Sequence, residues 1–218
     1  MAKANPANDA IANKRAASVT QLYNTKFDCF KFDGKWLASF GNPEKNKPWF
    51  IMAPVNSGKT TFVAMLCKYL SGFGRVAYDS IEEGISASLK EAFKRANIGS
   101  RDRIMVLDKE SLPELIKRLE KHKSPDIVVI DTIQHSDISK RDYLKLKLDF
   151  PKKMFIIISH MEGKLPEGRL AKFIHQDASV KIRIEGYKAF PSSRYGGNTP
   201  FVIWEEGASK YHAAGILS

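Results

Sequence analysis

The chain has 218 residues, of which 43% are hydrophobic and 11% aromatic, which suits one globular domain with a full core, or one domain and an arm. Its formal charge of +11 favours an anionic partner such as nucleic acid or a phosphorylated ligand, although solubility alone would also explain the charge. The two cysteines lack metal-site spacing, and there is no apolar signal or spanning segment, so we exclude a disulfide scaffold and a membrane protein and expect a soluble cytoplasmic one.

The first elements of the chain are short. Residues 1–18 are rich in Ala and Asn and have little to bury, so we expect a mobile arm over residues 1–25, helical where it meets a partner. The next stretch, KFDCFKFDGKWLASFG, is aromatic and is interrupted by Asp-Gly, which predicts turns and short elements. A single core domain is predicted over residues 26–218.

The core alternates apolar runs with amphipathic segments. The predicted strands are PWFIMA, RVAYDSI, RIMVLD, DIVVID and KMFIIIS. The predicted helices between them are GKTTFVAMLCKYLSGF, EGISASLKEAFKRANI and SLPELIKRLEKHK. This alternation predicts an α/β fold with a mainly parallel central sheet flanked by helices. Near the end of the chain, SVKIRIEGYKAF alternates apolar and polar residues, as a half-buried strand does. SSRYGGNT is typical of a turn, and PFVIWEEG would be the returning strand, so we expect a C-terminal antiparallel β-hairpin.

A phosphate-binding loop is predicted where the first apolar run meets the first helix. The segment has the spacing of a P-loop, with Ala in place of the first Gly. Together with the residue that follows the motif, it comprises Ala53, Pro54, Val55, Asn56, Ser57, Gly58, Lys59, Thr60 and Thr61. Backbone N–H groups and the helix N-terminus would hold the β-phosphate of ATP. Lys59 would reach the β and γ oxygens, and the Thr60 hydroxyl would ligate Mg²⁺. The flanking strand and helix argue against a chance Gly-Lys-Thr.

Carboxylates follow two other predicted strands. Asp131 ends DIVVID and would hold the water shell of the metal, unless it only caps the next loop. Glu82 and Glu83 follow the second strand, beside the P-loop, where ligands bind in an open α/β sheet. One of this pair would orient the attacking water, or both are solvated carboxylates at a helix start.

These pieces occur in the order found in one superfamily. VAYDSIEEGISASLKEAF, IVVIDTIQ, IIISHMEGKLPEGRLAKF and AFPSSRYGG each look like successive stretches of the RecA superfamily of P-loop ATPases. Within it, the chain resembles RadA- and DnaB-type cores from about Phe50 to Gly207. The resemblance implies a RecA-like fold, Mg-ATP hydrolysis and a homo-oligomer, either a ring or a filament.

The resemblance also assigns three side chains. It implies that Glu82 is the catalytic glutamate and that His160 senses the γ-phosphate, rather than being an ordinary strand-end histidine. It implies that Arg194 reaches the nucleotide of a neighbouring subunit, rather than being a surface turn residue. Ser192 stands where the family has a lysine, which weakens the pair of trans-acting cations, and Lys188 is a candidate substitute.

Two segments match the family's loops that face DNA. After Asp131, the chain carries Lys140, Arg141, Lys145, Lys147, Lys152 and Lys153, and the alternative is a solvated helix face. After His160, it carries Lys164, Arg169 and Lys172 in a segment that Gly163, Pro166 and Gly168 would shape into a loop. Such cations would give sequence-independent, salt-sensitive contacts to DNA phosphates.

Three functions remain open from the sequence. The first is an ATPase that acts on nucleic acid in recombination, replication or branch migration, as a helicase or mediator. The second is a regulatory module that uses ATP to switch oligomerisation or to recruit a protein. The third, a small-molecule kinase, is disfavoured because no arginine-rich lid segment is present and Thr132-Ile133-Gln134 fits the RecA pattern.

Overall fold

The structure, a computed structural model, describes residues 16–214. Most of the predicted arm, residues 1–15, lies outside the described residues. The helices are α1 (Val19–Asn24), α2 (Gly34–Phe40), α3 (Lys59–Ser71), α4 (Ala87–Arg95), α5 (Leu112–Leu119), α6 (Lys140–Asp149), α7 (Arg169–Asp177) and α8 (Glu205–Ala214). The strands are β1 (Trp49–Ala53), β2 (Val76–Ser80), β3 (Ile104–Leu107), β4 (Ile127–Asp131), β5 (Met154–Glu162), β6 (Leu165–Pro166), β7 (Val180–Glu185), β8 (Lys188–Ser193) and β9 (Phe201–Val202).

The described strands form one sheet in the order β3-β2-β4-β5-β1-β7-β8-β9, and β6 pairs with the end of β5. The pairs from β3 to β7 are parallel, whereas β8 and β9 run antiparallel. All five predicted core strands are therefore confirmed. Crossovers through helices put the carboxyl ends of the parallel strands on one edge of the sheet.

Both faces of the sheet are buried, which explains why its strands are continuous apolar runs. In β1, Trp49 and Ile51 belong to one core cluster, with Phe62 of α3, whereas Phe50 belongs to the other. The second cluster is closed by α5, α6 and α7, through residues such as Leu115. This two-sided packing fixes the positions of the strand ends that carry the polar residues described below.

The C-terminal region agrees with the prediction in part. The segment SSRYGGNT joins β8 to β9, which pair antiparallel, as predicted. A second, tighter turn, which was not predicted, lies at Gly186 and Tyr187, both with positive φ, and divides SVKIRIEGYKAF into β7 and β8. The predicted return strand is only the two-residue β9, and the chain then forms α8, which was not predicted.

Two short helices precede the core. In α1, a capping box of Ser18 and Gln21 stabilises the first turn, and no residue of the helix is buried. In α2, Trp36 and Phe40 are buried in the cluster that contains Phe62. Among residues 16–214, no helix combines the length and apolar character needed to cross a bilayer.

Candidate active site

The polar residues of the candidate site lie at the carboxyl ends of four adjacent strands, β2, β4, β5 and β1. The strand register explains how they meet. Ser80 of β2 is paired with Asp131 of β4, and Ala53 of β1 is paired with His160 of β5. The edge of a parallel sheet at which successive strands diverge is the usual ligand site of this architecture.

The predicted phosphate loop connects β1 to α3. Ala53 is the last residue of β1, so the loop needs no unusual backbone there. Gly58 at the start of α3 has φ of 95°, and Asn56 has φ of 59°, a region that Gly and Asn tolerate. Inside the loop, the Ser57 hydroxyl donates to the Pro54 carbonyl oxygen at 2.8 Å, and the Tyr187 N–H donates to the Ser57 carbonyl oxygen at 3.1 Å. The loop borders a cavity of about 640 Å³, into which residues 53–61 all open.

Lys59 connects the loop to two of the predicted carboxylates. Its Nζ lies 3.1 Å from Asp131 Oδ1 and 3.5 Å from Glu82 Oε2. The other oxygen of Asp131 accepts a hydrogen bond from the hydroxyl of Tyr78, whose burial raises its own pKa. Asp131 of β4 is therefore held in one orientation by Tyr78 of β2 and Lys59 of α3.

The oxygen donors suit Mg²⁺. Thr60 lines the cavity, and Asp131 is buried beside Lys59. A hydroxyl and a carboxylate are the ligands that Mg²⁺ takes from P-loop proteins, with water and phosphate completing its shell.

Glu82 and Glu83 differ in environment. Glu82 faces Lys59, and it also accepts a hydrogen bond from the Thr132 hydroxyl at 3.3 Å. Glu83 is exposed and accepts hydrogen bonds from the Ser86 and Ser88 hydroxyls at the start of α4. Of the two carboxylates, only Glu82 is directed at the Lys59–Asp131 pair.

Two histidines lie beside Glu82. His160 Nε2 is 3.3 Å from Glu82 Oε1, and the ring of His135 lies 5.9 Å from that of His160. Burial raises the pKa of Glu82, but the charges of Lys59, His160 and His135 together outweigh it, so the pKa lies below its ordinary value. Sequence reasoning missed His135, although its position immediately after Gln134 at a strand end was a usable signal.

Other side chains at the site also escaped prediction. Arg95 of α4 and Tyr187 line the phosphate-loop cavity together with a neighbouring, more apolar cavity of about 650 Å³. Met65, Ile203 and Trp204 contribute to the second cavity, and the Tyr187 and Trp204 rings meet edge to face at 5.0 Å. No local motif distinguishes Arg95 or Tyr187 in the sequence.

Arg194 lies away from this site. Its N–H donates to the carbonyl oxygen of Ser179, which precedes β7, so it sits at the amino ends of the parallel strands. It lines a separate cavity of about 590 Å³ with Lys47, Lys147 and Lys153. Lys153 donates there to the Ser124 hydroxyl and the Pro125 carbonyl oxygen.

The first basic segment is a helix face and not the loop that the family resemblance implied. Lys140, Arg141, Lys145 and Lys147 all belong to α6, and residues 132–139 form the connection between β4 and α6. Lys140 lies 4.0 Å from the ring centre of Phe173 in α7. Lys147 pairs with Asp177 at 2.5 Å, which leaves Lys140, Arg141 and Lys145 as exposed cations.

The second basic segment is partly a loop. Lys164 lies in the turn between β5 and β6, as predicted, but Arg169 and Lys172 belong to the first turn of α7. All three side chains are exposed. The prediction of one shaped loop carrying all three cations is therefore wrong, because α7 begins directly after Gly168.

Comparison with solved structures identifies the fold. The flagellar accessory protein FlaH from Methanocaldococcus jannaschii matches with a TM-score of 0.58 and 16% identity, over 81% of this chain and 95% of that chain. A second solved structure, an ATPase domain, matches with a TM-score of 0.50 and 19% identity, over 70% of this chain and 78% of that chain. No protein-family model and no curated protein sequence matches. The chain thus has the fold of the RecA-like P-loop ATPases, as its motifs predicted.

Proposed function

We propose that the protein binds Mg-ATP at the phosphate loop and hydrolyses it, and that it uses this reaction on nucleic acid. The observation that carries the first part is the position of the Lys59 ammonium between Asp131 and Glu82 at the mouth of the loop. A cation, a metal-type carboxylate and a second carboxylate within one hydrogen-bonded group are the parts that phosphoryl transfer to water needs.

The side chains have separate tasks in this proposal. When phosphate oxygens enter, Lys59 exchanges its contacts with the two carboxylates for the β and γ oxygens. Asp131 and Thr60 would hold Mg²⁺, which would supply charge neutralisation at those oxygens. Glu82, released from Lys59, accepts a hydrogen bond from the attacking water and orients it towards the γ-phosphorus. His160, at 3.3 Å from Glu82, responds to the presence of the γ-phosphate.

The adjoining cavity suits the nucleoside. It continues from Gly58 and Thr61 towards Tyr187, Trp204 and Ile203, so its lining is aromatic and aliphatic beyond the loop. Arg95 stands at the boundary of the two cavities. A planar base would pack against the aromatic side chains while Arg95 faces the phosphates.

The nucleic-acid part of the proposal depends on exposed cations at the same edge of the sheet. Lys164 extends from the carboxyl end of β5, and Arg169 begins α7. Lys140 and Arg141 begin α6, which contacts α7 through Lys140 and Phe173. Together with the +11 charge, these residues provide a surface for phosphate contacts that leads directly from the strand ends of the nucleotide site.

A regulatory nucleotide-binding module is the second candidate. Among the described residues, the lysines and arginines that line the phosphate-loop cavity are Lys59 and Arg95 alone, and Arg194 is at the opposite edge. A subunit by itself therefore has few cations to stabilise the charge of the transition state. If no neighbouring copy supplied a further cation, the protein would bind ATP with little turnover, and the bound nucleotide would act as a switch.

ATP turnover measured without polymer, with single-stranded DNA, with duplex DNA and with RNA tests both candidates. We expect polymer-stimulated turnover that is at least tenfold lower in Glu82→Gln, since the amide cannot accept the proton from water, with ATP binding retained. Glu83→Gln is the matched control and should retain turnover. ATP binding without turnover under all four conditions would favour the regulatory module, and loss of turnover in Glu83→Gln alone would transfer the role to Glu83.

A further inference from the structure

Glu82, His135 and His160 form a compact group of potential metal ligands. One carboxylate oxygen and one nitrogen from each imidazole all lie within 4.8 Å of one another. Glu82 follows β2, His135 follows β4 and His160 lies in β5, and these three strands are adjacent in the sheet, so the sheet itself brings the residues together. His135 is exposed and the other two are half-buried, which leaves one side of the group open to solvent.

Hydrogen bonds from neighbouring groups hold the three segments together. The side-chain amide of Gln134 donates to the Ser159 hydroxyl at 2.7 Å and to the Glu167 carbonyl oxygen at 2.9 Å. Its oxygen accepts from the backbone N–H of His160 at 3.2 Å. The backbone N–H of Glu82 donates to the Asp131 carbonyl oxygen at 3.1 Å. Outer contacts of this kind fix ligand positions in established metal sites.

The distances suit a small divalent ion after one adjustment. Ligand atoms about 2.1 Å from a tetrahedral metal are roughly 3.4 Å apart. Glu82 Oε1 and His160 Nε2, at 3.3 Å, already have that separation. The remaining separations are at most 4.8 Å, so His135 would need to approach by up to about 1.4 Å, which its exposed ring allows by a side-chain rotation.

The chemistry of the donors selects the class of ion. Imidazole ligands suit Zn²⁺, Cu²⁺, Fe²⁺ and Ni²⁺, whereas Mg²⁺ prefers oxygen ligands alone. Three protein ligands with an open side would leave a position for water or a phosphate oxygen.

We propose that Glu82, His135 and His160 form a binding site for a transition-metal dication, with Zn²⁺ as the reference ion, next to the phosphate loop. The site is distinct from the Thr60–Asp131 pair and goes beyond the proposed ATPase function. Occupation of the site directs the Glu82 carboxylate to the metal and away from Lys59. A second consequence, which does rest on the proposed function, is that Zn²⁺ inhibits Mg-ATP turnover.

Direct binding tests the site without nucleotide. The full-length chain, stripped with chelator, is titrated with Zn²⁺ in competition with a chromophoric chelator, in the presence of excess Mg²⁺. We expect one site per chain, weakened at least tenfold in His135→Ala and in His160→Ala, with the fold checked by circular dichroism. The matched control is His122→Ala, because His122 is exposed and lies outside the group. Equal Zn²⁺ affinity in the parent and in folded His135→Ala would overturn the proposal.

Turnover provides the second readout. Within each variant, the ratio of Mg-ATP turnover with and without Zn²⁺ is compared, so differences in basal rate cancel. Inhibition in the parent and in His122→Ala, but reduced inhibition in His135→Ala, would support the coupling to Glu82. Zn²⁺ binding at these residues in a chain without turnover would refute the ATPase proposal and leave the metal site intact, so the two failures can be told apart.

Discussion

Asp79 is a carboxylate that the fold buries completely at the carboxyl end of β2. One oxygen accepts the backbone N–H of Glu110 at 3.2 Å, and the other has no hydrogen-bond partner among the described residues. Burial raises the pKa of Asp79 to about 6, against the lowering effect of the Glu110 hydrogen bond. The fold therefore accommodates the protonated form of this side chain better than the ionised one.

This burial predicts a pH-dependent stability. Between the ordinary pKa of about 4 and the folded value of about 6, the native state keeps a proton that the unfolded state has lost. The Asp79 contribution to stability is therefore present below about pH 4 and is lost as the pH rises through about 6. Asp79→Asn has no proton to lose, so its free energy of unfolding should gain about 1–3 kcal/mol relative to the parent between about pH 4 and pH 7.5.

Urea unfolding at the two pH values measures this difference. Asp149→Asn, at the exposed end of α6, is the control, and its free energy of unfolding relative to the parent should not change comparably with pH. An Asp79→Asn difference that stayed constant with pH would mean that Asp79 is ionised in the folded protein.

At the same scale, the sequence located some site residues better than others. Lys59 and Asp131 could be predicted because one belongs to a short motif and the other ends an apolar strand. In the structure, Lys59 Nζ lies 3.1 Å from Asp131 Oδ1. Spacing alone could not separate Glu82 from Glu83, since their orientation depends on the turn after β2; the family resemblance assigned the role to Glu82. The position of His135 depends on the side-chain amide of Gln134, which forms hydrogen bonds with Ser159 and His160 of β5. These partners are 25 and 26 residues away in the sequence, so no local pattern predicts the contact.

Among the elements, the strands of the parallel sheet were the easiest to predict. β1, β2 and β4 are buried along their whole length, on both faces of the sheet, and are therefore mainly apolar runs beside amphipathic helices. The turn that contains Gly196 and Gly197 was predicted from its glycine pair, whereas the tighter turn at Gly186-Tyr187 was missed because a single glycine before Tyr is a weaker turn signal. Gly197 also has a packing role: a Cβ there would lie 2.8 Å from the Gly41 backbone nitrogen, so this glycine permits close approach to the end of α2.

The elements that carry exposed cations give a prediction about nucleic acid. Replacing Lys164, Arg169 and Lys172 together by alanine should weaken DNA binding and reduce the slope of log affinity against log salt by about 2 to 3, since each lost phosphate contact removes just under one unit. Fluorescence anisotropy over a salt series measures both quantities.

The control for that variant removes the same charge elsewhere. Arg101, Lys117 and Lys121 are exposed cations on the α4–β3 connection, in α5 and just after it, and their joint replacement should leave the slope almost unchanged. Equal effects of the two triple variants would mean that net charge, rather than this surface, accounts for the binding. An unchanged slope in the first variant would transfer the interface to the exposed face of α6.

For the whole molecule, the position of Arg194 decides whether one copy has a complete site. Arg194 is exposed at the amino edge of the parallel strands, whereas the phosphate loop is at the carboxyl edge. Its guanidinium can stabilise transition-state charge only at the nucleotide of another copy. Ser192, two positions earlier, is exposed on β8 and offers no charge, so Arg194 would act without the lysine that the resemblance implies.

This geometry predicts complementation between two inactive variants. Arg194→Ala should bind ATP as the parent does and hydrolyse it at least tenfold more slowly, because one positive group at the transition state contributes on that scale or more.

A Lys59→Ala copy has a defective loop but an intact Arg194, and an Arg194→Ala copy has an intact loop but lacks the arginine. Mixed, the two should recover part of the turnover, since some interfaces would join an intact loop to an intact arginine. Lys117→Ala, exposed on α5 and with Lys59 and Arg194 both intact, is the control, and its mixture with Arg194→Ala should not exceed the average of the two. If the mixture stays inactive while native mass spectrometry detects mixed oligomers, Arg194 does not act between copies, and its cavity beside Lys47 and Lys153 would be better explained as a surface for nucleic-acid phosphates.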